Sequence, residues 1–195
     1  QAQHHYAHVA GLMIEHNADE MVGICCDGYG YGSNGEAWGG EILLCAQETH
    51  GFSRLAHLEE QPLIGGDLAT RHPLRIAAGI LYGKIDIDDW LMQNKQHFPH
   101  GAREVEIVLQ QLQNGQGFIK TTSCGRVLDA VSAVLDVCHE RTYEGEPSMK
   151  LESAAMQGND TLKLGPVIRG STLDTTQMLV SIFENRKKQV RRDLA

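Results

Sequence analysis

The spacing of apolar residues predicts one helix and several short strands in the first third of the chain. Residues 2–17 carry apolar and histidine side chains four positions apart, which is typical of a helix. The apolar run 21–26 predicts a buried strand, and segments 36–45 and 51–58 predict two more strands. The glycine-rich stretch 27–35 between the first two strands is typical of a turn. We therefore expect a helix followed by a three-stranded meander.

After Pro62 the apolar spacing becomes helical. The predicted helices cover residues 63–83, 105–112, 125–138, 147–156 and 172–184. One further strand is predicted at 162–168, and the charged run 186–193 is typical of a solvated helix end. The sequence therefore predicts an α/β protein in which a strand meander is followed by helices.

Composition and charge exclude several classes of protein. Hydrophobic residues make up 42% and charged residues 22% of the 195 positions, which is the balance of a globular chain rather than a disordered one. The net charge is −8, whereas proteins that follow a phosphate backbone are usually basic, so we expect no nucleic acid partner. No run approaches the roughly 18 consecutive apolar residues of a membrane span. We therefore expect no membrane partner.

The cysteine pattern indicates a reducing compartment. The chain has five cysteines and lacks a C-x-x-C pair, whereas a small secreted scaffold usually has an even, regularly spaced set. We therefore predict a cytoplasmic protein in which most cysteines are small buried hydrophobes. Cys124 lies near a predicted helix start, where the pKa of a thiol can be lowered. Because no histidine is adjacent in sequence, Cys124 is not predicted to be a nucleophile.

The N-terminal helix carries a pattern that can bind metal. His4 and His8 are four positions apart, so their imidazoles lie on one helix face and can point at a single ion. The alternative is a polar helix face that happens to contain histidines. His5 lies off this face, and we expect it to pack or to form a hydrogen bond.

A carboxylate and alternating glycines follow the first predicted strand. Asp27 ends that strand, and Gly28, Gly30 and Gly32 come directly after it. Glycines allow unusual backbone angles and let N–H groups approach oxyanions, so the pattern suits metal or phosphate binding. A hairpin turn by itself would also explain these glycines.

Two nucleotide-binding motifs are excluded by their context. Residues 30–35 match the spacing G-x-G-x-x-G, but this fingerprint must open a helix, whereas residues 38–40 continue as strand. Gly83-Lys84 is followed by Ile85 rather than by Ser or Thr, so it is not a P-loop.

Two later segments carry charged residues at helix starts. In segment 121–129, Arg126 and Asp129 lie one turn apart, so the arginine either faces an anion or locks the helix. Segment 143–152 places Glu146-Pro147 at a helix start, with charges that are typical of a solvated face.

These motifs, in this order, resemble the HypF carbamoyltransferase family in its C-terminal domain. The resemblance covers nearly the whole chain, at residues 3–8, 27–32, 38–41, 122–129 and 143–152. The first three segments resemble the family's Q-H-H-H-A-H, D-G-T-G-Y-G and W-G-G-E. Tyr6 stands where the family often has His, and Tyr29 where it often has Thr. Neither difference removes the histidine pair or the aspartate.

The resemblance implies a fold, a reaction and a partner. The fold is expected to be that of the actin-like and sugar-kinase-like ATPases. A neighbouring YrdC-like domain is expected to make carbamoyl adenylate from carbamoyl phosphate and ATP. The domain similar to this chain then transfers the carbamoyl group to the C-terminal Cys thiol of the HypE protein. In the family this step precedes synthesis of the cyanide ligands of [NiFe]-hydrogenase.

The resemblance also implies the site residues. It assigns a divalent metal, Zn or Fe, to His4, His8 and Asp27. It assigns approach to the nucleotide phosphates to Gly28, Gly30 and Gly32. Asp27 is therefore the expected catalytic residue, because the metal beside it neutralises the adenylate phosphate.

Residues 1–195 are expected to be a partial carbamoyl-transfer domain. The chain does not begin with Met, and the family's upstream lobe and YrdC-like part have no counterpart in it. The family domain also continues into a glycine-rich nucleotide motif and an aspartate that completes the metal site. We therefore expect the chain to hold only part of the site.

Two other functions remain open from sequence. One is a tRNA threonylcarbamoyl transferase of the TsaD type, which shares the fold and the H-x-x-x-H motif but has a Ser-Gly-Gly-Asn-type turn at the position of residues 27–30. The other is a non-catalytic remnant that binds a metal, a nucleotide or HypE. The oligomeric state is not predicted.

Overall fold

A seven-stranded sheet organises the fold in a computed structural model, which describes residues 2–48, 51–115, 118–156, 158–159 and 162–186. The strands are β1 (Glu20–Tyr31), β2 (Ala37–Ala46), β3 (Gly51–Leu58), β4 (Gln61–Leu63), β5 (Ile119–Thr121), β6 (Ile168–Arg169) and β7 (Thr172–Leu173). The helices are α1 (His4–Glu15), α2 (Asp67–Arg71), α3 (Pro73–Leu81), α4 (Asp88–Gln93), α5 (Ala102–Asn114), α6 (Cys124–Val134), α7 (Glu146–Ala155) and α8 (Thr175–Asn185). A 3-10 helix, Lys95–His97, lies between α4 and α5.

Strand β2 is the centre of the sheet. It pairs antiparallel with β1 and with β3, and its first residue, Ala37, pairs in parallel with Thr121 of β5. The short strands β4 and β5 extend one edge, while β7 and β6 extend the edge beyond β3. The predicted meander of three strands is therefore confirmed, and the rest of the sheet is assembled around it.

Helices enclose the main core on one side of this framework. Helix α3 is the most buried of them, and it packs against α6 and α8. A smaller cluster lies under α1, where Val9 and Met13 contact Leu43 and Cys45 of β2. Within the described residues, no helix is both long enough and apolar enough to cross a lipid bilayer.

A buried carboxylate ties the central strand to its neighbours. Glu41 on β2 is 1% exposed. Its Oε2 accepts a hydrogen bond from Arg54 Nε on β3 at 2.6 Å, and its Oε1 accepts one from Thr122 Oγ1 just before α6. The backbone N–H of Gly39 also donates to Oε1, at 3.3 Å. One side chain therefore links β2, β3 and the start of α6.

The predicted glycine turn is largely strand, so this prediction is wrong. Strand β1 continues through Asp27 to Tyr31, and its pairing with β2 shifts register between Cys26 and Gly30. The chain reverses only around residues 33–35, where Gly35 has φ of 82°. The irregularity lets β1 remain paired with β2 on both sides of residues 27–29.

The helix predicted over 63–83 is interrupted. Leu63 belongs to β4, and the helical part is divided between α2 and α3 by His72 and Pro73. Proline lacks an N–H and fixes φ, so it begins a helix readily but does not continue one. Helix α4, the 3-10 helix and β5 were not predicted from the apolar spacing.

The bounds of the helices and strands in the last third of the chain also differ from those predicted. Residues 162–167 form no strand, because Pro166 has no N–H to donate to a ladder, and only β6 forms, paired with β7. Helix α6 ends at Val134 rather than at residue 138, since Asp136 has φ of 59°. Helix α8 begins after Asp174, whose side chain accepts from the N–H of Gln177. The charged tail after residue 186 lies outside the described residues.

We predict that Glu41→Ala destabilises the fold by about 3–5 kcal/mol, because the substitution leaves the largely buried Arg54 charge unpaired. Urea unfolding measures this change. Glu106→Ala, which removes an exposed carboxylate from α5, is the matched control and should change stability by less than about 0.5 kcal/mol. Equal effects of the two substitutions would contradict the role given to Glu41.

We also predict that His72 makes the fold less stable in acid. This side chain joins α2 to α3 and is 6% exposed, and its Nδ1 has no partner among the described residues. Burial lowers the pKa of His72, with the nearby Glu104 and Glu140 carboxylates opposing the shift. The unfolded chain therefore binds a proton near its ordinary pKa of about 6.5, while the folded chain does not. Stability falls as the pH drops below that value.

The expected slope from this residue is at most about 1.4 kcal/mol per pH unit. In His72→Gln the loss of stability between neutral pH and pH 5 should be smaller than in the unsubstituted chain. Replacing the exposed His100 by Gln serves as the control and should leave the pH profile unchanged. Parallel profiles for His72→Gln and the unsubstituted chain would refute the prediction.

Candidate active site

The N-terminal histidines are positioned by the cap of α1. Gln3 precedes the helix in extended conformation, and its Oε1 accepts a hydrogen bond from the N–H of Tyr6 at 2.8 Å. Its amide Nε2 lies 3.0 Å from Nδ1 of His5. Because an amide nitrogen only donates, Nδ1 of His5 accepts this bond and the neutral ring carries its proton on Nε2. The cap therefore fixes both the helix start and the His5 ring.

Asp27 of β1 faces the histidines of α1 across a short gap. Its Oδ2 lies 3.2 Å from Nε2 of His4 and 3.5 Å from Nε2 of His5. The ring of His8 packs edge-on against the ring of His4, with the centroids 4.7 Å apart. The structure therefore groups His4 and His5 with Asp27, while the predicted ligand His8 adjoins this group through its contact with His4.

His4 and His5 differ in exposure and in what they offer a metal ion. One ligand atom from each of His4, His5 and Asp27 lies within 4.8 Å of the others. The His4 side chain is 46% exposed, whereas His5 is 2% exposed and the burial lowers its pKa. Since the Nε2 proton of His5 points toward Asp27, this ring suits a hydrogen bond that orients the carboxylate.

The donor set fits a divalent ion. Neutral imidazole and carboxylate are ligands of Zn and Fe alike. Nε2 of His5 is buried without a hydrogen-bond partner in the described chain, because its contact with Asp27 is long. The cluster is therefore not a closed structural network, and a small movement of Asp27 would complete it.

Two of the predicted glycines make room for aromatic rings. A Cβ atom on Gly30 would lie 2.3 Å from Cε1 of His5, and one on Gly32 would lie 2.4 Å from Nε1 of Trp38. Neither glycine has positive φ. These positions thus need glycine for close packing rather than for an unusual backbone angle.

The start of α6 contacts β1 beside the aspartate. Ser123 Oγ accepts the N–H of Arg126 at 3.1 Å, which caps the helix. The same oxygen lies 2.8 Å from the carbonyl oxygen of Asp27 and 2.9 Å from that of Gly28. Ser123 therefore joins the helix start to the backbone of the site.

Arg126 both locks its helix and faces the glycine segment. Its Nη1 lies 2.5 Å from Oδ2 of Asp129, and a Cβ on Gly28 would lie 3.0 Å from its Nη2. Burial raises the pKa of Asp129 to about 6, and the charge of Arg126 opposes that rise. The geometry is therefore compatible with both roles that the sequence left open for Arg126.

Cys124 is not an activated thiol. Burial and the neighbouring Cys26 raise the pKa of Cys124 to about 11. The lowered pKa considered for this helix start is wrong, because desolvation disfavours the thiolate more than the helix end favours it. All five cysteines are free.

A cleft of about 410 Å³ opens beside the cluster. Its polar lining residues include His4, His5, His8 and Asp27. Its apolar lining residues are Val9, Leu12, Met21, Val22 and Ile24. A bound group would therefore meet both the histidines with the carboxylate and an apolar surface.

The fold and the comparison with known families define the class of this protein. The chain matches the family described as "Carbamoyltransferase, Kae1-like Domain, second subdomain" over residues 23–195. The chain is thus a Kae1-like carbamoyltransferase domain of the actin-like ATPase type, and its mixed α/β architecture agrees with that class.

Curated relatives identify the family within this class. The probable carbamoyltransferase HypF of Methanocaldococcus jannaschii is 40% identical over 185 residues, covering 94% of this chain and 24% of that protein. Carbamoyltransferase HypF2 of Cupriavidus necator is 39% identical over 156 residues, covering 78% of this chain and 18% of that protein. The chain belongs to the HypF carbamoyltransferase family. It spans about a quarter or less of the length of these relatives.

Solved structures show the same fold. The crystal structure of T. kodakarensis HypF matches with a TM-score of 0.87 and 40% identity, covering 100% of this chain and 26% of that one. Full-length HypF in the phosphate- and nucleotide-bound form matches with a TM-score of 0.84 and 33% identity, covering 99% of this chain and 30% of that one. The actin-like fold expected from the motifs is confirmed.

We predict that Gly30→Ala displaces the ring of His5, because the added methyl group would overlap it. Overpacking of this kind costs about 1–3 kcal/mol. Histidine NMR signals and urea unfolding measure the two effects. Gly11→Ala is the control, since no atom lies within 4 Å of a Cβ there and the helix should gain about 0.5–1 kcal/mol. An unmoved His5 signal in Gly30→Ala would contradict the packing argument.

Proposed function

We propose that this chain is part of a carbamoyltransferase that acts in hydrogenase maturation. In this proposal the whole protein transfers a carbamoyl group from carbamoyl adenylate to the C-terminal Cys of HypE, for synthesis of the cyanide ligands of [NiFe]-hydrogenase. The observation that carries the proposal is the convergence of His4, His8 and Asp27 on one cleft, in a chain of the HypF family.

Residues 1–195 are proposed to be a partial carbamoyl-transfer domain. The chain corresponds to about a quarter of a HypF protein, so other parts of the whole protein are expected to make the adenylate. One solved relative is described as phosphate- and nucleotide-bound, which supports ATP and carbamoyl adenylate as ligands of the whole protein.

His4, His8 and Asp27 are the proposed metal ligands. When bound, a Zn or Fe ion would neutralise the phosphate of the adenylate and make it a better leaving group. Gln3 holds the His5 ring so that its Nε2 faces Asp27 at 3.5 Å, a contact that would become an orienting hydrogen bond if the carboxylate moved closer. Nε2 of His4 lies 3.2 Å from the same carboxylate, so the two groups are close enough to share an ion.

The phosphate is proposed to lie between β1 and the start of α6. The N–H of Gly28 is already donated to Oδ1 of Asp27 at 2.6 Å, so Gly28 contributes mainly by lacking a side chain. That absence leaves Arg126 Nη2 close to the backbone of β1, where a guanidinium attracts an anion. Gly30 and Gly32 contribute indirectly, because they allow the rings beside them to pack.

The acceptor thiol is proposed to come from the partner protein. Among cysteines near Asp27, Cys124 has a pKa raised to about 11, so it is protonated at neutral pH and a poor nucleophile. In the proposed step a HypE thiolate attacks the carbamoyl carbon, a C–S bond forms, the C–O bond to the phosphate breaks and AMP leaves. Asp27 is the catalytic residue through its place beside that phosphate.

We predict that Asp27→Ala in the whole protein lowers HypE carbamoylation at least about 100-fold while adenylate formation continues. The two steps should separate because the adenylate is made in another domain. Mass spectrometry of HypE measures transfer, and pyrophosphate release measures adenylation. Glu15→Ala, which removes an exposed carboxylate from the end of α1, should leave both unchanged. Normal HypE carbamoylation by Asp27→Ala would refute the assignment.

An activity assay of the isolated 195-residue chain tests whether the chain is a complete catalyst or a binding fragment. Supplied with carbamoyl adenylate and HypE, it should give no measurable transfer, because positioning of both reactants can account for about 7–11 kcal/mol of a barrier. Robust turnover by this chain would show that the proposed division into a partial domain is wrong.

A further inference from the structure

A second cluster of metal-binding side chains lies at the opposite end of α6. His97 ends the 3-10 helix, while Asp136 and His139 lie in the segment after α6. The His97 and His139 rings are stacked, with centroids 3.7 Å apart and planes inclined by 21°. One ligand atom from each of the three residues lies within 4.8 Å of the others.

The two clusters are separated by the length of this helix. Helix α6 has 11 residues, which corresponds to about 16 Å. Its first turn is held against Asp27 through Ser123, whereas the second cluster follows its last turn. The second cluster is therefore a distinct place in the fold, and its function does not depend on the proposed carbamoyl transfer.

The His139 ring is largely buried, and one of its two nitrogens forms no hydrogen bond within the described residues. The side chain is 12% exposed, and its Nε2 lies 2.6 Å from Oδ1 of Asp136. Its Nδ1 is buried without a hydrogen-bond partner in the described part of the chain. An unsatisfied buried polar atom costs about 1–3 kcal/mol, so packing by itself is a poor reason for histidine at this position.

The two histidine rings come from separate segments of the chain. A neutral imidazole keeps a lone pair on one nitrogen, which is the form that binds metal. Two imidazoles with a carboxylate beside them therefore offer two nitrogen ligands and one oxygen ligand.

We propose that His97, Asp136 and His139 bind one divalent transition-metal ion such as Zn²⁺. Two nitrogen ligands and one oxygen ligand suit Zn²⁺ or Co²⁺ and do not suit Mg²⁺ or Ca²⁺, which prefer oxygen. The ion is held by one ring nitrogen of each histidine and one carboxylate oxygen of Asp136. It joins the 3-10 helix to the segment that follows α6, and so acts as a structural clip.

Titration of the 195-residue chain with Co²⁺ tests this site. The starting variant carries His4→Ala and His8→Ala, which removes two of the proposed ligands at the other end of α6. We expect this variant to bind one equivalent of Co²⁺ by calorimetry, with the visible absorption bands of a nitrogen-ligated ion. Adding His97→Ala and His139→Ala should abolish that equivalent, and adding Asp136→Asn should weaken the affinity about 10–100-fold.

Two controls separate ligation from folding. His100→Ala, added to the starting variant, removes an exposed histidine nearby and should leave Co²⁺ binding intact. One ligand histidine is also replaced singly, as His97→Gln, and circular dichroism confirms that each variant is folded. Zn²⁺ should raise the Tm of the starting variant but not that of folded His97→Gln. Absence of binding in the starting variant, or unchanged binding after loss of both ligand histidines, would overturn the proposal.

Discussion

The buried carboxylate of Glu41 is the constraint on which the site depends. It lies on the central strand and accepts hydrogen bonds from Arg54 on the neighbouring strand and from Thr122 before α6. Because a charge without partners is very costly in the interior, these groups must come together when the sheet forms. Ser123 follows Thr122 directly and contacts the carbonyl groups of Asp27 and Gly28. The need to pair the buried carboxylate of Glu41 thus determines where the start of α6 contacts β1.

Glycine residues allow the start of α6 and helix α1 to approach the backbone of β1 closely. A Cβ on Gly39 would lie 2.5 Å from the carbonyl oxygen of Asp27, and one on Gly125 would lie 3.0 Å from Cα of Gly28. Across the sheet, a Cβ on Gly23 would lie 2.2 Å from Val9 of α1. The helices can therefore approach the strand backbone directly. Segments that are distant in sequence contribute to one cleft because the intervening side chains are absent.

The local charges around the cleft depend on which side chains are neighbours, and they do not follow the net charge of the chain. The chain carries a net charge of −8, yet Asp27 faces histidines and Arg126 lies beside Gly28. Asp129 pairs with Arg126 and holds it toward β1. A single guanidinium beside glycine backbone can attract an anion without making the whole protein basic.

The sequence by itself determined the elements whose signals are local. The four-residue spacing of His4 and His8, the meander of β1 to β3 and the absence of a dinucleotide-binding helix follow from side-chain period and turn chemistry. The tertiary structure decided the features that depend on a residue's surroundings, which are the shortest strands, the pKa shifts and the long-range contacts. Strands of two or three residues such as β5 and β6 exist only because a neighbour pairs with them. The pKa of the Cys124 thiol is raised because the side chain is buried, and His97 packs against His139 through a contact between segments that are distant in sequence. Burial and long-range contacts have no local period, and for that physical reason no pattern along the chain could predict them.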